Sequence, residues 1–259
     1  MDNINTKMID LENPGTTYKI LTLDIGGTTI KATVLDQHGN LFYDYRKAKT
    51  PRHPTPEKVV KTIQKLIIDF PGYDRISAGF PGYVKKGTVF TAPNLGTEVW
   101  RGFNLKKYLG DVLGKPVRLV NDADMQGLGV VSGKGFEMVI TLGTGFGTAL
   151  LQDGHLLPHL ELAHHSVTKN KTYDDYIGDH ELKRIGEQKW NKRMKGILGM
   201  LKTVFNFDTL YIGGGNSSKL NFKLDRNMRI ITNQEGIKGG ARLWQLDEDL
   251  FMKTKTHLA

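Results

Sequence analysis

The stretch Thr22-Leu23-Asp24-Ile25-Gly26-Gly27-Thr28-Thr29-Ile30-Lys31 decides the fold of this chain. An apolar strand ends at an acidic residue and runs into a turn with two glycines, two threonines and, soon after, a lysine. Backbone can approach a polyanion closely only where side chains are absent, so Gly26 and Gly27 would let amide N–H groups face phosphate oxygens. The hydroxyls of Thr28 and Thr29 add further donors. The stretch therefore predicts a phosphate-binding turn between two strands.

A second glycine cluster repeats this layout. Gly143-Thr144-Gly145-Phe146-Gly147-Thr148 follows the apolar run Met138-Val139-Ile140-Thr141-Leu142. One such cluster alone is equally well explained as a hairpin turn, because glycine marks turns of many kinds. Two clusters flanked by hydroxyls favour phosphate binding, and together they could hold one phosphate chain from both sides. Asp24, at the end of the first strand, would then hold a metal ion.

Two common nucleotide motifs are excluded. The stretch Leu128-Gly129-Val130-Val131-Ser132-Gly133-Lys134-Gly135 approaches a P-loop, but leucine replaces the first glycine and glycine replaces the final Ser or Thr. The dinucleotide fingerprint fails as well, since Gly143-x-Gly145 is followed by Thr148 at the third position.

Composition narrows the class of protein. The chain has 259 residues, 39% of them hydrophobic, and no cysteine. This predicts one large domain or two lobes around a cleft, without disulfides or thiolate metal sites. The start has no apolar signal core and no stretch is long enough to cross a bilayer, so we expect a cytoplasmic protein with no membrane partner. The net charge of +9 suits anionic ligands, although an ordinary solvated surface also explains it.

The order of predicted elements is that of an α/β protein. Residues 1–17 are polar and aperiodic, which indicates a flexible arm. Apolar spacing then predicts strands at about 19–24, 29–35, 41–47, 76–80, 117–120, 137–142, 147–151 and 209–212. Helices are predicted from Thr55 to the Pro71-Gly72 pair, over Leu105–Leu113, over His180–Phe205 and from about Gly236. The strand at 117–120 delivers Asn121 and Asp122 to its carboxyl end, where ligand sites of α/β sheets gather.

In this order the motifs resemble those of the ROK sugar kinases, within the actin and hexokinase superfamily. The first and second glycine clusters are similar to the two phosphate motifs of that family, and Tyr211-Ile212-Gly213-Gly214-Gly215-Asn216 is similar to its nucleotide-proximal turn. Three further segments resemble the polyphosphate glucokinase branch: Gly79-Phe80-Pro81-Gly82, Thr91-Ala92-Pro93-Asn94-Leu95 and Lys189-Trp190-Asn191. Each segment alone is weak, whereas the ordered set is specific.

The resemblance implies a two-lobed actin-like ATPase fold, which is ribonuclease H-like, with a cleft between the lobes. The lobes would span 18–122 and 123–259, and the last helix is a candidate to pack back on the first lobe. Phosphoryl transfer would run from polyphosphate or ATP, with Mg²⁺ held by Asp24 through water. The implied donor-binding residues are Asp24, Gly26, Gly27, Thr28, Thr29, Lys31, Gly143, Thr144, Gly145, Gly214 and Gly215.

The resemblance also places the acceptor. Asp122 would be the general base that takes the proton of the glucose 6-hydroxyl. The alternative explanation for this aspartate is that it caps the N-terminus of a helix. The implied sugar-binding residues are Asn94, Asn121, Asp122, Glu161 and His164. Alone, His164 would more often be an ordinary, partly exposed histidine.

Departures from the family pattern leave alternatives open. Ala163 stands where the family usually has glycine, and Pro158-His159-Leu160 replaces a more polar lead-in, so mannose or another hexose derivative remains an alternative to glucose. A catalytically inactive sugar sensor is the other class to consider. The presence of Asp24, Lys31 and Asp122 argues against it.

Residues 166–179 contain no cysteine, so no zinc is expected. No nucleic-acid partner is expected, and a homodimer is allowed. The donor could be polyphosphate, helped by a basic track of Lys189, Lys192, Arg193 and Lys195, for which an ordinary solvated helix face is the alternative explanation.

Overall fold

The computed structural model describes residues 17–246. Its first half contains seven strands and three helices. They are β1 (Lys19–Ile25), β2 (Thr29–Asp36), β3 (Leu41–Lys49), α1 (Pro56–Leu66), β4 (Arg75–Phe80), β5 (Val84–Lys85), β6 (Thr88–Val89), α2 (Thr97–Trp100), α3 (Leu105–Leu113) and β7 (Val117–Asn121). Thr55 caps α1 and α3 ends at Gly114, which has a φ of 66°. The five strands and both helices predicted in this half are confirmed, although α1 ends at Leu66, before the predicted Pro71-Gly72 stop.

Five of these strands form one mixed sheet in the order β3-β2-β1-β4-β7. β1 and β2 pair antiparallel in the hairpin that carries the first glycine turn, whereas β4 and β7 run parallel to β1. Their buried apolar side chains pack against α1 and α3 in one core cluster. The parallel strands therefore end at the same edge of the sheet as the first glycine turn.

The second half contains seven more strands and six helices among the described residues. They are α4 (Asp122–Val130), β8 (Phe136–Leu142), β9 (Phe146–Gln152), β10 (His155–Leu156), β11 (Ser166–Thr168), β12 (Lys171–Thr172), α5 (Tyr173–Ile177), α6 (Asp179–Ile185), α7 (Glu187–Phe205), β13 (Thr209–Gly213), β14 (Met228–Ile230), α8 (Asn233–Ile237) and α9 (Gly239–Arg242). Two short 3₁₀ turns lie at Leu162–His164 and Ser217–Lys219.

The second sheet repeats the pattern of the first. Its order is β10-β9-β8-β13-β14, with an antiparallel β8–β9 hairpin and with β13 and β14 parallel to β8. α5, α6 and α7 cover one face, and α4 contributes to the apolar cluster on the other. α4 also contacts β4 and β7 of the first sheet. It is therefore the structural link between the two sheets.

The end of the described chain returns to the first sheet. The Ser77 hydroxyl donates to the Gly240 carbonyl at 2.5 Å, and the Trp244 indole N–H donates to the Ser77 hydroxyl at 2.9 Å. A Cβ at Gly240 would lie 2.4 Å from the side chain of Thr22, so only glycine allows α9 to approach β1 this closely. The lobe boundary at residue 122 stays a prediction.

The predicted helix over His180–Phe205 is wrong as a single helix. It is broken at Gly186, whose φ of 78° belongs to the left-handed region, so the apolar stripe belongs to α6 and α7. The apolar spacing of the predicted helix places Val204 on its buried face, whereas the structure leaves Val204 64% exposed. The strands of two or three residues, β5, β6, β10, β11, β12 and β14, were not predicted.

The predicted arm over 1–17 lies outside the described residues except for residue 17. No helix among residues 17–246 is long and apolar enough to span a membrane.

Candidate active site

One cavity lies between the two sheets, and it has a volume of about 360 Å³. All sixteen residues predicted for the site line it. They are Asp24, Gly26, Gly27, Thr28, Thr29, Lys31, Asn94, Asn121, Asp122, Gly143, Thr144, Gly145, Glu161, His164, Gly214 and Gly215. The structure therefore brings together residues that are up to 191 positions apart in the chain (Asp24 to Gly215). Their individual roles stay predictions.

The two hairpin turns face each other across this cavity. In the first turn the Gly26 N–H donates to the Thr29 carbonyl at 3.0 Å, and in the second the Gly143 N–H donates to the Gly145 carbonyl at 3.1 Å. A Cβ added to Gly27 would lie 2.6 Å from the Cβ of Asn94, whereas one added to Gly143 would meet nothing within 4 Å. The first turn is thus packed against a residue predicted to bind sugar, whereas the second is open for a ligand at Gly143 and packed against Asp174 at Gly145.

The third glycine turn packs against the second. The Asn216 N–H donates to the Leu142 carbonyl at 2.9 Å, and Gly214 has a φ of 85°. A Cβ at Gly214 would lie 2.3 Å from the same carbonyl oxygen, so glycine is required there. Gly215 has open space beside it. The two turns therefore form one continuous surface of backbone groups on the second lobe.

A charge pair stands at the first turn. Asp24 on β1 and Lys31 on β2 are direct partners in the antiparallel register, and the Lys31 ammonium lies 2.9 Å from the Asp24 carboxylate. Both side chains are largely shielded, with 33% of Lys31 and 15% of Asp24 exposed. The pair holds both groups beside the turn, where a phosphate oxygen or a metal ion could reach them.

Asp122 is the first residue of α4. The helix cap is Asn121, whose side-chain oxygen accepts from the N–H groups of Ala123 at 2.7 Å and Asp124 at 3.3 Å. Helix capping, the alternative explanation for Asp122, is therefore the role of Asn121. The Asn121 amide also donates to the Phe80 and Gly82 carbonyls, so its polar groups are engaged within the protein. We conclude that Asn121 fixes the start of α4 and with it the position of Asp122.

The surroundings of Asp122 change its acidity. Burial, together with the negative charges of Asp24 and Asp124, raises the pKa of Asp122 from 3.8 to about 7. The N–H of Ala123 and the charge of His159 act in the opposite direction. A carboxylate with a pKa near neutrality is well matched to accept a proton at physiological pH.

The predicted sugar side is a 3₁₀ turn that enters the cavity. One Glu161 carboxylate oxygen lies 3.7 Å from the His164 ring, and the other lies 3.5 Å from the Thr91 hydroxyl. Glu161 is 25% exposed and His164 46%. The pair can therefore offer both an acceptor and a ring nitrogen to a polar ligand.

Several site residues were not predicted as such. Asp174 and Gln126 line the cavity, and the Asp174 carboxylate accepts from the Phe146 N–H at 2.6 Å. Burial raises the pKa of Asp174, with the Phe146 N–H opposing. No pattern in the sequence marks a carboxylate that approaches its partner from 28 residues away.

The near P-loop has a structural explanation. The buried Glu137 carboxylate accepts from the N–H groups of Ser132 at 2.7 Å, Gly133 at 2.8 Å and Lys134 at 3.2 Å. The Tyr211 hydroxyl also donates to it at 2.9 Å. The amide groups of this loop therefore hold a carboxylate of the protein itself, which agrees with the exclusion of a P-loop.

Comparisons with known proteins identify the family of this chain. The model of the ROK family matches residues 20–161, and the chain belongs to this family. It is 32% identical over 235 residues to the polyphosphate glucokinase of Mycobacterium tuberculosis H37Rv, covering 86% of each chain.

Solved structures confirm the two-lobed actin-like ATPase fold. The inorganic polyphosphate/ATP-glucomannokinase of Arthrobacter sp. strain KM superposes with a TM-score of 0.78 at 27% identity, over 88% of this chain and 100% of that one. A ROK family glucokinase from Streptomyces griseus, solved with glucose and AMPPNP, gives a TM-score of 0.70 at 22% identity, over 87% and 97%. The second likeness concerns the fold alone.

Proposed function

We propose that this protein is a glucokinase that transfers a phosphoryl group from polyphosphate, ATP or both to the 6-hydroxyl of glucose. The observation that carries the proposal is the position of Asp122, at the carboxyl end of β7 and on the wall of the cavity that both glycine turns line. Relatives named polyphosphate glucokinase support the substrate class.

The chemistry follows from the arrangement. The 6-hydroxyl oxygen attacks the terminal phosphorus, the bond from phosphorus to the donor oxygen breaks, and Asp122 takes the hydroxyl proton. Positioned bases of this kind contribute about 10²–10⁴-fold. The Lys31 ammonium and the N–H groups of the turns would stabilise the charge on the transferred group. The products are glucose 6-phosphate and a donor shortened by one phosphate.

The residues present fit Mg²⁺. Mg²⁺ in kinases is commonly held by one or two carboxylates together with substrate phosphates and water. Among residues 17–246 there is no cluster of three or more His, Cys, Asp or Glu side chains suited to a metal ion. Asp24 would hold the ion through water, and the ion would neutralise charge on the donor phosphates.

The polyphosphate track is revised by the structure. Lys189, Lys192 and Lys195 are exposed on α7, and the first two line a surface depression of about 510 Å³ together with Arg193. The charge of Arg193 is already paired, because its guanidinium contacts the Glu181 carboxylate at 2.6 Å and the Tyr176 carbonyl at 2.9 Å. We therefore assign the track to the three lysines.

A matrix of two donors and several sugars tests the proposal. Purified protein is given nucleotide-free polyphosphate or ATP with glucose, mannose or N-acetylated hexoses, and sugar phosphate is measured with Asp122→Asn as the blank. Glucose 6-phosphate from at least one donor is the expected result. No sugar phosphate under any combination, with sugar binding retained, would make the protein a sensor. A clear preference for mannose would favour the alternative hexose.

Two further expectations belong to this proposal. We infer a cytoplasmic protein that has no nucleic-acid partner. A homodimer is compatible with both. Size-exclusion chromatography with light scattering decides the oligomeric state.

A further inference from the structure

A buried histidine lies behind the proposed sugar site. The His159 side chain is only 8% exposed, and it lies in the segment between β10 and the 3₁₀ turn. The Tyr83 ring stacks on it, with 6.2 Å between the ring centroids and an interplanar angle of 13°. The position of the imidazole ring is therefore fixed by packing, and its two nitrogens face defined partners.

Those partners are two carboxylates from different parts of the fold. The His159 Nδ1 atom lies 3.0 Å from the Asp124 carboxylate on α4, in an ion-pair contact outside the angle of a regular hydrogen bond. The Nε2 atom lies 3.4 Å from the Glu161 carboxylate. The imidazole thus stands between helix α4, which carries Asp122, and the turn that carries His164.

The charges favour a cation at this point, although burial also raises the pKa of Asp124. Asp124 is 9% exposed, and its second oxygen has no hydrogen-bond partner among residues 17–246. Burial by itself would lower the pKa of His159, but the contacts with Asp124 and Glu161 and their negative charges raise it to about 10. A neutral side chain here would leave two shielded carboxylates facing each other, which is strongly unfavourable.

We propose that His159 is a positioning residue for the sugar site, an imidazolium that holds the Glu161 carboxylate in place and ties it to α4. One Glu161 oxygen is engaged by His159 and lies near Thr91, so the other is left to accept from a sugar hydroxyl. This inference rests on the proposed function, because it assigns a role within the same site. It gives a physical meaning to one of the departures from the family pattern.

The test compares His159→Phe, Asp124→Asn, His159→Gln and the double variant His159→Phe/Asp124→Asn with wild type. Phe keeps the stacking on Tyr83 and removes both nitrogens, and His155→Phe on exposed β10 is the matched control. Glucose affinity is measured by titration calorimetry, and kcat and KM are determined separately for glucose and for the donor. Melting temperatures identify variants that do not fold.

In His159→Phe we expect the Kd and KM for glucose to rise about tenfold or more, which corresponds to the loss of a charged contact, with the donor KM within about twofold. Removing the Asp124 charge in the double variant should recover at least about threefold of the lost glucose affinity, because the carboxylate repulsion is relieved. His159→Gln should fall between wild type and His159→Phe, and His155→Phe should match wild type.

The inference would be overturned, with the proposed function intact, by unchanged glucose affinity in His159→Phe of an active enzyme. It would also be overturned if the losses in His159→Phe and Asp124→Asn simply add in the double variant. An equal loss for glucose and donor would also contradict it, since a general packing defect gives that pattern. If wild type binds no hexose at all, the proposed function and this inference fail together.

Discussion

The two glycine turns share one hairpin layout but differ at one cross-strand position. In the first lobe Asp24 on β1 faces Lys31 on β2, in the second residue pair counted away from the turn. In the second lobe the same step pairs Thr141 with Gly147. The first turn therefore carries two opposite charges where the second carries a hydroxyl and no side chain.

The difference has a structural consequence in the second lobe. A Cβ at Gly147 would lie 2.3 Å from the Thr141 hydroxyl and 3.1 Å from the Cβ of Ala123. The missing side chain lets β9 approach the start of α4, the helix that presents Asp122. We infer that the first turn supplies charge to the reaction, whereas the second supplies backbone N–H groups and fixes the base.

The largest effect should come from the base between the turns. In Asp122→Asn, turnover should fall by about 10²–10⁴, with little change in glucose affinity, because proton acceptance is lost while the hydrogen-bonding shape is kept. The folded-state pKa is about 7 against 3.8 in the unfolded chain, so ionisation of Asp122 costs stability as pH rises through this range and the full cost is present above pH 7. The variant should therefore have a higher melting temperature than wild type at pH 8, and a lower one would contradict the burial argument.

A substitution in the first, charged turn should reduce turnover more than a substitution in the second, neutral turn. Lys31→Met removes the cation and keeps the length of the side chain, and we expect turnover to fall by about 10²–10³, as for loss of a transition-state donor. Thr144→Val in the second turn should cost no more than about tenfold, since a neutral hydrogen bond contributes about 1 kcal/mol. Equal losses in single-turnover assays of the two variants would break the proposed division between the turns.

The sugar side should be independent of both turns. Replacing Glu161 or His164 by Ala should weaken glucose binding by about 1–3 kcal/mol, because a sugar hydroxyl loses its partner, and should leave donor binding nearly unchanged. Calorimetric titrations with glucose and with a non-hydrolysable donor analogue separate the two. If both variants bind glucose like wild type, these residues are ordinary surface groups.

The smallest effect concerns the lysines of α7. Lys189→Gln/Lys192→Gln should raise the KM for long polyphosphate a few-fold and reduce its salt dependence, because fewer counterions are released on binding. The KM for ATP should not change. Lys202→Gln on the same helix is the control, since that ammonium contacts Asp225 at 2.6 Å. A salt dependence identical to that of wild type would contradict a role for these lysines in binding polyphosphate.

Most of the architecture was accessible from the sequence because its elements are long and periodic. The two hairpins, the parallel strands and α1, α3 and α7 all have apolar residues at regular spacing. Gly186 misled the helix prediction, because a single glycine inside an apolar stripe is compatible with a continuous helix. Strands of two residues carry no period and could not be predicted.

The site was accessible only in part, for a physical reason. Residues that follow strands directly, such as Asp24 and Asp122, are placed by the sheet itself. His159 and Asp124 are 35 positions apart, and their contact depends on how β10 and the loop after it pack against α4. Asp174 reaches the second turn from α5 in the same way. Contacts of this kind follow from tertiary packing, and no local pattern contains them.

The pH dependence of kcat/KM for glucose, measured in parallel on wild type and Asp122→Asn, tests the central claim most directly. With Asp122 as the base, the wild-type rate should decrease about tenfold per pH unit below an apparent pKa of about 7. The variant should be at least about 10²-fold slower at pH 8 and should lack this acidic limb. A variant that keeps more than about a third of the wild-type rate, or that shows the same acidic limb, would contradict a general-base role for Asp122.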